Sequence, residues 1–461
     1  MSMLGGCVFP HPPLIMPEVG RGEERRIQAT VDACREAAAW VVRQAPDVVV
    51  VTSPHATLYA DYFHIPPGAA AAGDFASFGA PELCVRARYD EAFVRDLSRR
   101  AQAADLPAGT LGERSPVLDH GTMIPLRFLQ EAGYRGPIVR IGLSGQPLQA
   151  HYALGRLIAQ TAALLGRRLV FVASGDLSHK LKASGPYGFA AAGPEFDARM
   201  QACFRAGDFP ALLLTPPELA QEAAECGLRS FAILAGALDR QAVRARLLSY
   251  EGPFGVGYGV AVFEAAGRDE RRDCGEQAAA AERERLRAVR EAEDAYVRLA
   301  RYALETFVRT QVRVAVPQEA PEALRAARAG AFVSLKRDGE LRGCIGTILP
   351  TRTSLAEEII GNAIAAGTED PRFPAVTEAE LPSLVYDVDV LTRPEPIASE
   401  DALDVKRYGV IVESGTRRGL LLPDLAGVST VEEQVAIARR KGNIAPHEPV
   451  QLYRFEVVRH V

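Results

Sequence analysis

From Leu4 to about Glu264 the chain alternates short β-branched runs with longer helical stretches, and this alternation restricts the fold more than any other feature. Strands joined through helices belong to an α/β fold with a mainly parallel sheet flanked by helices. The predicted strands are 4–9, 47–53, 82–89, 137–143, 168–174 and 255–263. Segments such as 23–44 and 151–168 repeat their apolar residues at helical spacing. After Ala266 the rhythm changes to "GRDERRDCGEQAAAAERERLRAVREAE", where Glu and Arg recur three or four residues apart. This predicts a solvated helix held partly by side-chain ion pairs. It serves as a linker (267–284) between a first domain (1–266) and a second (285–461), whose first helix continues to about Thr310. The second domain is α+β: a hairpin turning at Asp338-Gly339, strands in "LVYDVDVL", "YGVIVES" and "LYRFEVV", and helices over 354–366 and 430–441.

A length of 461 residues suits two domains. A net charge of -5 argues against non-specific binding to nucleic acid or an acidic membrane. The first twenty residues lack the basic and apolar regions of a signal peptide, and no stretch has the roughly 18 apolar residues of a membrane span, so a cytoplasmic protein is expected. The seven cysteines lack CxxC spacing and indicate neither a disulfide framework nor a structural zinc site.

Six of the eight histidines fall within the first 179 residues. "LGGCVFPH", "VVVVTSPH" and "RLVFVASGDLSH" each run from a predicted strand to an imidazole: His11, His55 and His179. Ligands of open α/β sheets collect beyond the carboxyl ends of the strands, so three strands deliver an imidazole to one edge. Any one of these histidines could equally be a turn or core residue. Three at equivalent places point to a metal, since neutral imidazole is a common ligand together with carboxylate. His11 and His55, each behind a proline-stiffened corner, are the candidate pair for a two-histidine, one-carboxylate face with open positions. "QEAAECGLRSFAILAGAL" (221–238) offers Glu222 and Glu225 at the start of a long helix, and spacing does not choose between them.

Taken together, "FPHPP", "TSPH", "DHGTMIPLRFL", "ASGDLSH" and "AECGLRSF" resemble the class III extradiol ring-cleaving dioxygenases, the family of the protocatechuate 4,5-dioxygenase catalytic subunit, over roughly residues 1–265. The resemblance implies that His11, His55 and Glu225 hold the metal, that His179 is the acid/base and that His120 faces substrate and oxygen. Asp119 and Asp176 are then candidates for orienting His120 and His179. The MEMO-like proteins, known mainly as metal-binding or redox modules, share this fold and carry a cysteine near the dioxygenase carboxylate. Here Glu225 and Cys226 are adjacent. A carboxylate favours Fe(II), a thiolate copper.

Residues from about 285 to 461 resemble the AMMECR-type domain through "GAFVSLKRDGELRGCIGTI", "EDPRFPAVTEAEL" and "EEQVAIARRKGNI". Cys344, Arg342, Asp370, Arg372 and His447 are its polar candidates. Chains that combine the two parts look like AmmeMemoRadiSam system proteins, which accompany a radical-SAM enzyme. The leading expectation is an Fe(II)-dependent extradiol dioxygenase, with copper or zinc as alternative metals, that opens a catechol- or aminophenol-type ring with O2. The second is a metal-binding or redox accessory protein acting beside a radical-SAM partner without ring cleavage, and the third is hydrolysis by zinc-bound water. A small aromatic substrate and O2 are the expected partners, with neither nucleic acid nor membrane, and a homodimer is implied by the resemblance.

Overall fold

Val48 and Val50 enter one apolar cluster and Val49 and Val51 another, so the strand they form is buried on both faces. The neighbouring strands behave alike: Val8 and Phe171 lie on the first side, Cys7, Phe9 and Val170 on the second. The computed structural model describes residues 2–114, 117–425 and 427–461, and the chain divides into two compact units, Met1–Glu282 and Arg283–Val461. No helix among the described residues is long and apolar enough to cross a membrane.

In the first unit a six-stranded sheet is built from β1 (Met3–Phe9), β2 (Val48–Ser53), β3 (Ile138–Gly142), β4 (Leu169–Ser174), β5 (Gln241–Glu251) and β6 (Tyr258–Arg268), in the order β3-β2-β4-β1-β6-β5. The first four in that order run parallel. β6 and β5 continue the sheet antiparallel, which makes it mixed. Helices α1 (Gln28–Arg43) and α3 (His120–Glu131) cover one face. On the other lie α2 (Glu91–Ala103), α4 (Leu148–Leu164), α5 (Ala192–Ala206) and α6 (Leu228–Ala237).

Two differences from the sequence-based expectation have physical causes. The 82–89 segment forms a strand, Ala80–Arg88, but pairs with Ala70–Phe75 in a separate two-stranded ribbon outside the main sheet. Its buried and exposed residues alternate, as suits a ribbon covered on one face. β5 was not among the expected strands, because an edge strand with exposed Arg244 and Arg246 has no continuous apolar run.

The second unit contains helices α8 (Ala295–Thr310), α9 (Leu355–Thr368) and α10 (Val431–Lys441). Its strands are β7 (Ala331–Arg337), β8 (Glu340–Gly346), β9 (Leu384–Leu391), β10 (Glu395–Ile397), β11 (Tyr408–Ser414), β12 (Arg417–Leu421) and β13 (Gln451–His460), all paired antiparallel. The β7–β8 hairpin turns at Asp338 and Gly339 with φ of 53° and 79°, the left-handed pair of a type I′ turn. The charged stretch is helical over Cys274–Ala292 (α7), but the chain does not continue unbroken to Thr310: Asp294 leaves helical geometry and its side chain accepts from the backbone N–H of Tyr296 and Val297, starting α8 afresh.

Candidate metal centre

Strand order decides which side chains can meet. β4 lies between β2 and β1, so three adjacent parallel strands end at one rim, and the chain leaving them carries His11, His55 and His179.

His11 is buried, and its Nδ1 lies 2.9 Å from Ser174 Oγ. The hydroxyl of Ser174 donates its proton to the Gly121 carbonyl at 2.6 Å, so it accepts from His11 Nδ1–H. The lone pair of His11 is thereby fixed on Nε2, which lies 3.0 Å from His55 Nε2 and 3.6 Å from Cys226 Sγ. Burial, then the neighbouring His55, lowers the His11 pKa to about 3, keeping the ring neutral. Its backbone N–H donates to Asp176 Oδ1 at 2.8 Å. His55 is exposed, so the rim opens to solvent on that side.

Cys226 reaches this rim through a turn. The predicted long helix over 221–238 is broken: one helix ends at Ala223, Ala224 takes a left-handed conformation (φ 52°), and α6 begins at Leu228. Glycine is required where this turn meets the end of β4, because a Cβ on Gly175 would collide with the Cα of Gly227. The close approach lets the Asp176 N–H donate to Cys226 Sγ at 3.3 Å. Burial pushes the metal-free Cys226 thiol well above its ordinary pKa. Glu225, one residue earlier, faces elsewhere: its Oε2 accepts from the Leu228 N–H at 2.6 Å, and burial raises its carboxyl pKa to about 7. Glu222 is exposed on the preceding helix.

His120 opens α3, whose N-cap is Asp119, with Oδ1 accepting from the Thr122 N–H at 2.9 Å. Gly121 must be small there, since a Cβ would run into Ser53 Oγ. The His120 ring centroid lies 4.0 Å from that of His55 and 5.6 Å from that of His11, and Phe78 stands against it at 5.2 Å. Burial, then His55 and His11, lowers its pKa to about 3. His179 is half-buried under the exposed ring of Tyr187, stacked at 5.0 Å, and burial lowers its pKa.

Among the described residues two groups bring three ligating atoms within 4.8 Å of one another: His11, His55 and Cys226; and Asp176, His179 and Cys226. Glu225 is in neither. The first group fits an ion. With bonds of about 2.0–2.1 Å to nitrogen and about 2.3 Å to sulfur, a tetrahedral angle sets N and S about 3.6 Å apart, and two nitrogens stand about 3.0–3.4 Å apart at angles of about 95–110°. The observed separations are 3.6 and 3.0 Å.

Four contributors were not foreseen: Ser174, Ser53, Phe78 and Tyr187. Ser53 and Ser174 each end a strand, and Ser53 Oγ donates to Asp119 and accepts from the His55 N–H. A hydroxyl shortly before a strand-end histidine was the available signal. Phe78 lies 42 positions from His120 and Tyr187 eight from His179, and neither carried a signal in the sequence. His64 is buried on a two-residue strand, Phe63–His64.

In the second unit Asp370 Oδ2 accepts from the Cys344 N–H at 2.9 Å, and Arg372 pairs with Asp370 and donates to the Cys344 carbonyl at 3.3 Å. Arg342 pairs instead with Glu380 at 2.8 Å, and His447 is exposed.

Comparisons with known proteins bear on both units. Residues 297–460 match the AMMECR1 family. Residues 5–261 match the family described as the catalytic LigB subunit of aromatic ring-opening dioxygenase. Protein CA_C1420 of Clostridium acetobutylicum is 38% identical over 473 aligned residues, covering 100% of this chain and 99% of its own. A protein of Thermotoga maritima is 52% identical over 170 residues, 36% of this chain and 98% of its own. The crystal structure of the uncharacterized protein PH0010 from Pyrococcus horikoshii is similar at 36% identity over 36% of this chain and 88% of its own, with a TM-score of 0.34. The chain belongs to the LigB family of aromatic ring-opening dioxygenase catalytic subunits, here joined to an AMMECR1 domain.

Proposed function

We propose that the first unit is a metal-binding redox module whose ion is held by His11 Nε2, His55 Nε2 and Cys226 Sγ, with copper favoured over Fe(II). The observation that carries this reading is the convergence of two imidazoles and a thiol while the Glu225 carboxylate is engaged as a helix cap. Two histidines with a cysteine are the donor set of copper electron-transfer sites, and Fe(II) oxygenases use a carboxylate in the third place. Bound copper supplies one-electron chemistry between its +1 and +2 states.

The chain's own groups prepare the donors. Ser174 fixes the tautomer of His11, and Asp176 holds its backbone. The Asp176 N–H stabilises a thiolate on Cys226. Asp119 ties Ser53 and the start of α3 together, holding His55 and His120 side by side. The AMMECR1 unit in the same chain supports an accessory role beside an enzyme of the radical-SAM class, as the resemblance implies.

A second reading, O2-dependent opening of a catechol- or aminophenol-type ring with Fe(II), is favoured by the walls of the rim. Phe78 on His120 and Tyr187 on His179 form two aromatic sides suited to a planar substrate. A neutral His179 could take a phenolic proton. Anaerobic purification, metal analysis and reconstitution with Cu(I) or Fe(II) separate the two. The redox reading expects copper in the wild type and in Glu225→Gln, its loss in Cys226→Ser, and an intense thiolate-to-Cu(II) absorption on oxidation. A yellow ring-opened product and O2 uptake from the Fe(II)-loaded protein, lost in Glu225→Gln and kept in Cys226→Ser, would replace it with the second.

A further inference from the structure

A cavity of about 630 Å³ lies between the two-stranded ribbon and the turn that joins α3 to β3, and none of its lining residues is a donor at the metal centre. Small-molecule sites commonly span about 300–1,000 Å³. Leu126, Tyr134 and Ile138 are buried and give the cavity an apolar wall, and Arg86, Arg88 and Arg135 stand exposed around it.

These arginines lack acidic partners. Arg86 and Arg88 share the exposed face of their strand, and directly across the ribbon from them stand Ala72 and Ala70. An opposite charge at such a cross-strand place would pair with an arginine, and alanine does not. Among the described residues none of the three guanidiniums contacts a carboxylate: Arg88 Nη2 donates to the Arg135 carbonyl at 3.1 Å, and Arg135 Nη1 to the carbonyls of Gln130 at 2.6 Å and Tyr134 at 2.8 Å. Gln130 Nε2 donates in turn to the Arg86 carbonyl at 2.7 Å. These bonds fasten the ribbon to the end of α3, so the three cations are gathered on fixed backbone and little ordering is left for a ligand to impose. A guanidinium has five N–H donors, and most of these fifteen remain for an anion. Like charges around an apolar cavity repel one another, and an anionic head group offsets that repulsion while an apolar body covers the wall.

We infer that this cavity binds an organic anion with an apolar body, its phosphate or carboxylate head held by Arg86, Arg88 and Arg135. Calorimetric titration of the full chain with 1-naphthyl phosphate and with 1-naphthoate tests it, inorganic phosphate and the neutral 1-naphthalenemethanol serving as controls. One-to-one binding of an aryl anion is expected, about tenfold or more tighter than either control, and the tighter of the two anions names the head group. Arg86→Gln should weaken it by about tenfold or more, since a hydrogen bond to a charged group is lost. The Arg86 side chain makes no hydrogen bond within the described residues, so this variant keeps the fold, which circular dichroism checks. Ala72→Leu, at an exposed position lining the cavity, should weaken the aryl anions by narrowing the space while leaving the charge unchanged. Failure of both aryl anions to bind overturns the inference. So does equal binding of the neutral alcohol, and so does wild-type affinity in a folded Arg86→Gln/Arg88→Gln double variant, which places the anion elsewhere.

Discussion

Replacing Ser174 by alanine removes one fully buried hydroxyl and tests how His11 is aimed. Two hydrogen bonds are lost, from His11 Nδ1 at 2.9 Å and to the Gly121 carbonyl at 2.6 Å. Removing the outer partner of a ligating histidine typically weakens metal binding by about ten- to a hundredfold. That corresponds to about 1.4–2.8 kcal/mol. The metal-free protein should suffer as well, by about 2–3 kcal/mol, since a buried acceptor is left unpaired in addition to the bonds lost. The two effects are measured separately. Competition against a chromophoric chelator gives the Cu(I) dissociation constant, and urea unfolding of the metal-free chain gives the stability. A Ser174→Ala protein that is destabilised yet binds Cu(I) within about twofold of wild type would refute the reasoning, because His11 would then need no help to present Nε2.

In the second unit Arg301 donates to Glu293 from Nε at 2.9 and 3.0 Å and to Glu305 at 3.3 Å, all three residues being buried. Arg301→Met strands Glu293 and should cost about 3–5 kcal/mol in chemical denaturation, with most of the loss recovered in the Arg301→Met/Glu293→Gln double variant. Glu380, held by Arg342 and then by Thr377, has its pKa lowered from 4.5 to about 2. A carboxylate depressed in the folded state stabilises above its unfolded pKa, so this contribution is present above about pH 4.5 and is lost as pH falls toward 2. At 1.36 kcal/mol per pKa unit it amounts to about 3 kcal/mol. Glu380→Gln should therefore flatten the acid limb of stability against pH, and an unchanged limb would show that the Arg342 pair does not control it.

Legibility in the sequence followed how local each cause was. The valines of β2 and the apolar runs of β1 and β4 announce strands buried on both faces, because consecutive residues are apolar irrespective of register until the polar residues that end β2 and β4. Three histidines just beyond such strands then have to share a rim once β4 lies between β2 and β1. Asp294 was a visible cap signal inside a strongly helical stretch, and the helical pattern on both sides concealed the break. The choice between Glu225 and Cys226 depends on causes distant in sequence. Two neighbouring residues in a turn point in different directions, and which of them faces His11 is fixed by the left-handed Ala224 and by backbone contact between Gly175 and Gly227, 52 positions apart in the chain. A one-residue displacement of that turn would exchange a thiolate for a carboxylate beside the same two imidazoles. Because donor softness selects the ion, the packing of these two glycines is what turns the rim of this chain toward a thiolate in the reading proposed above.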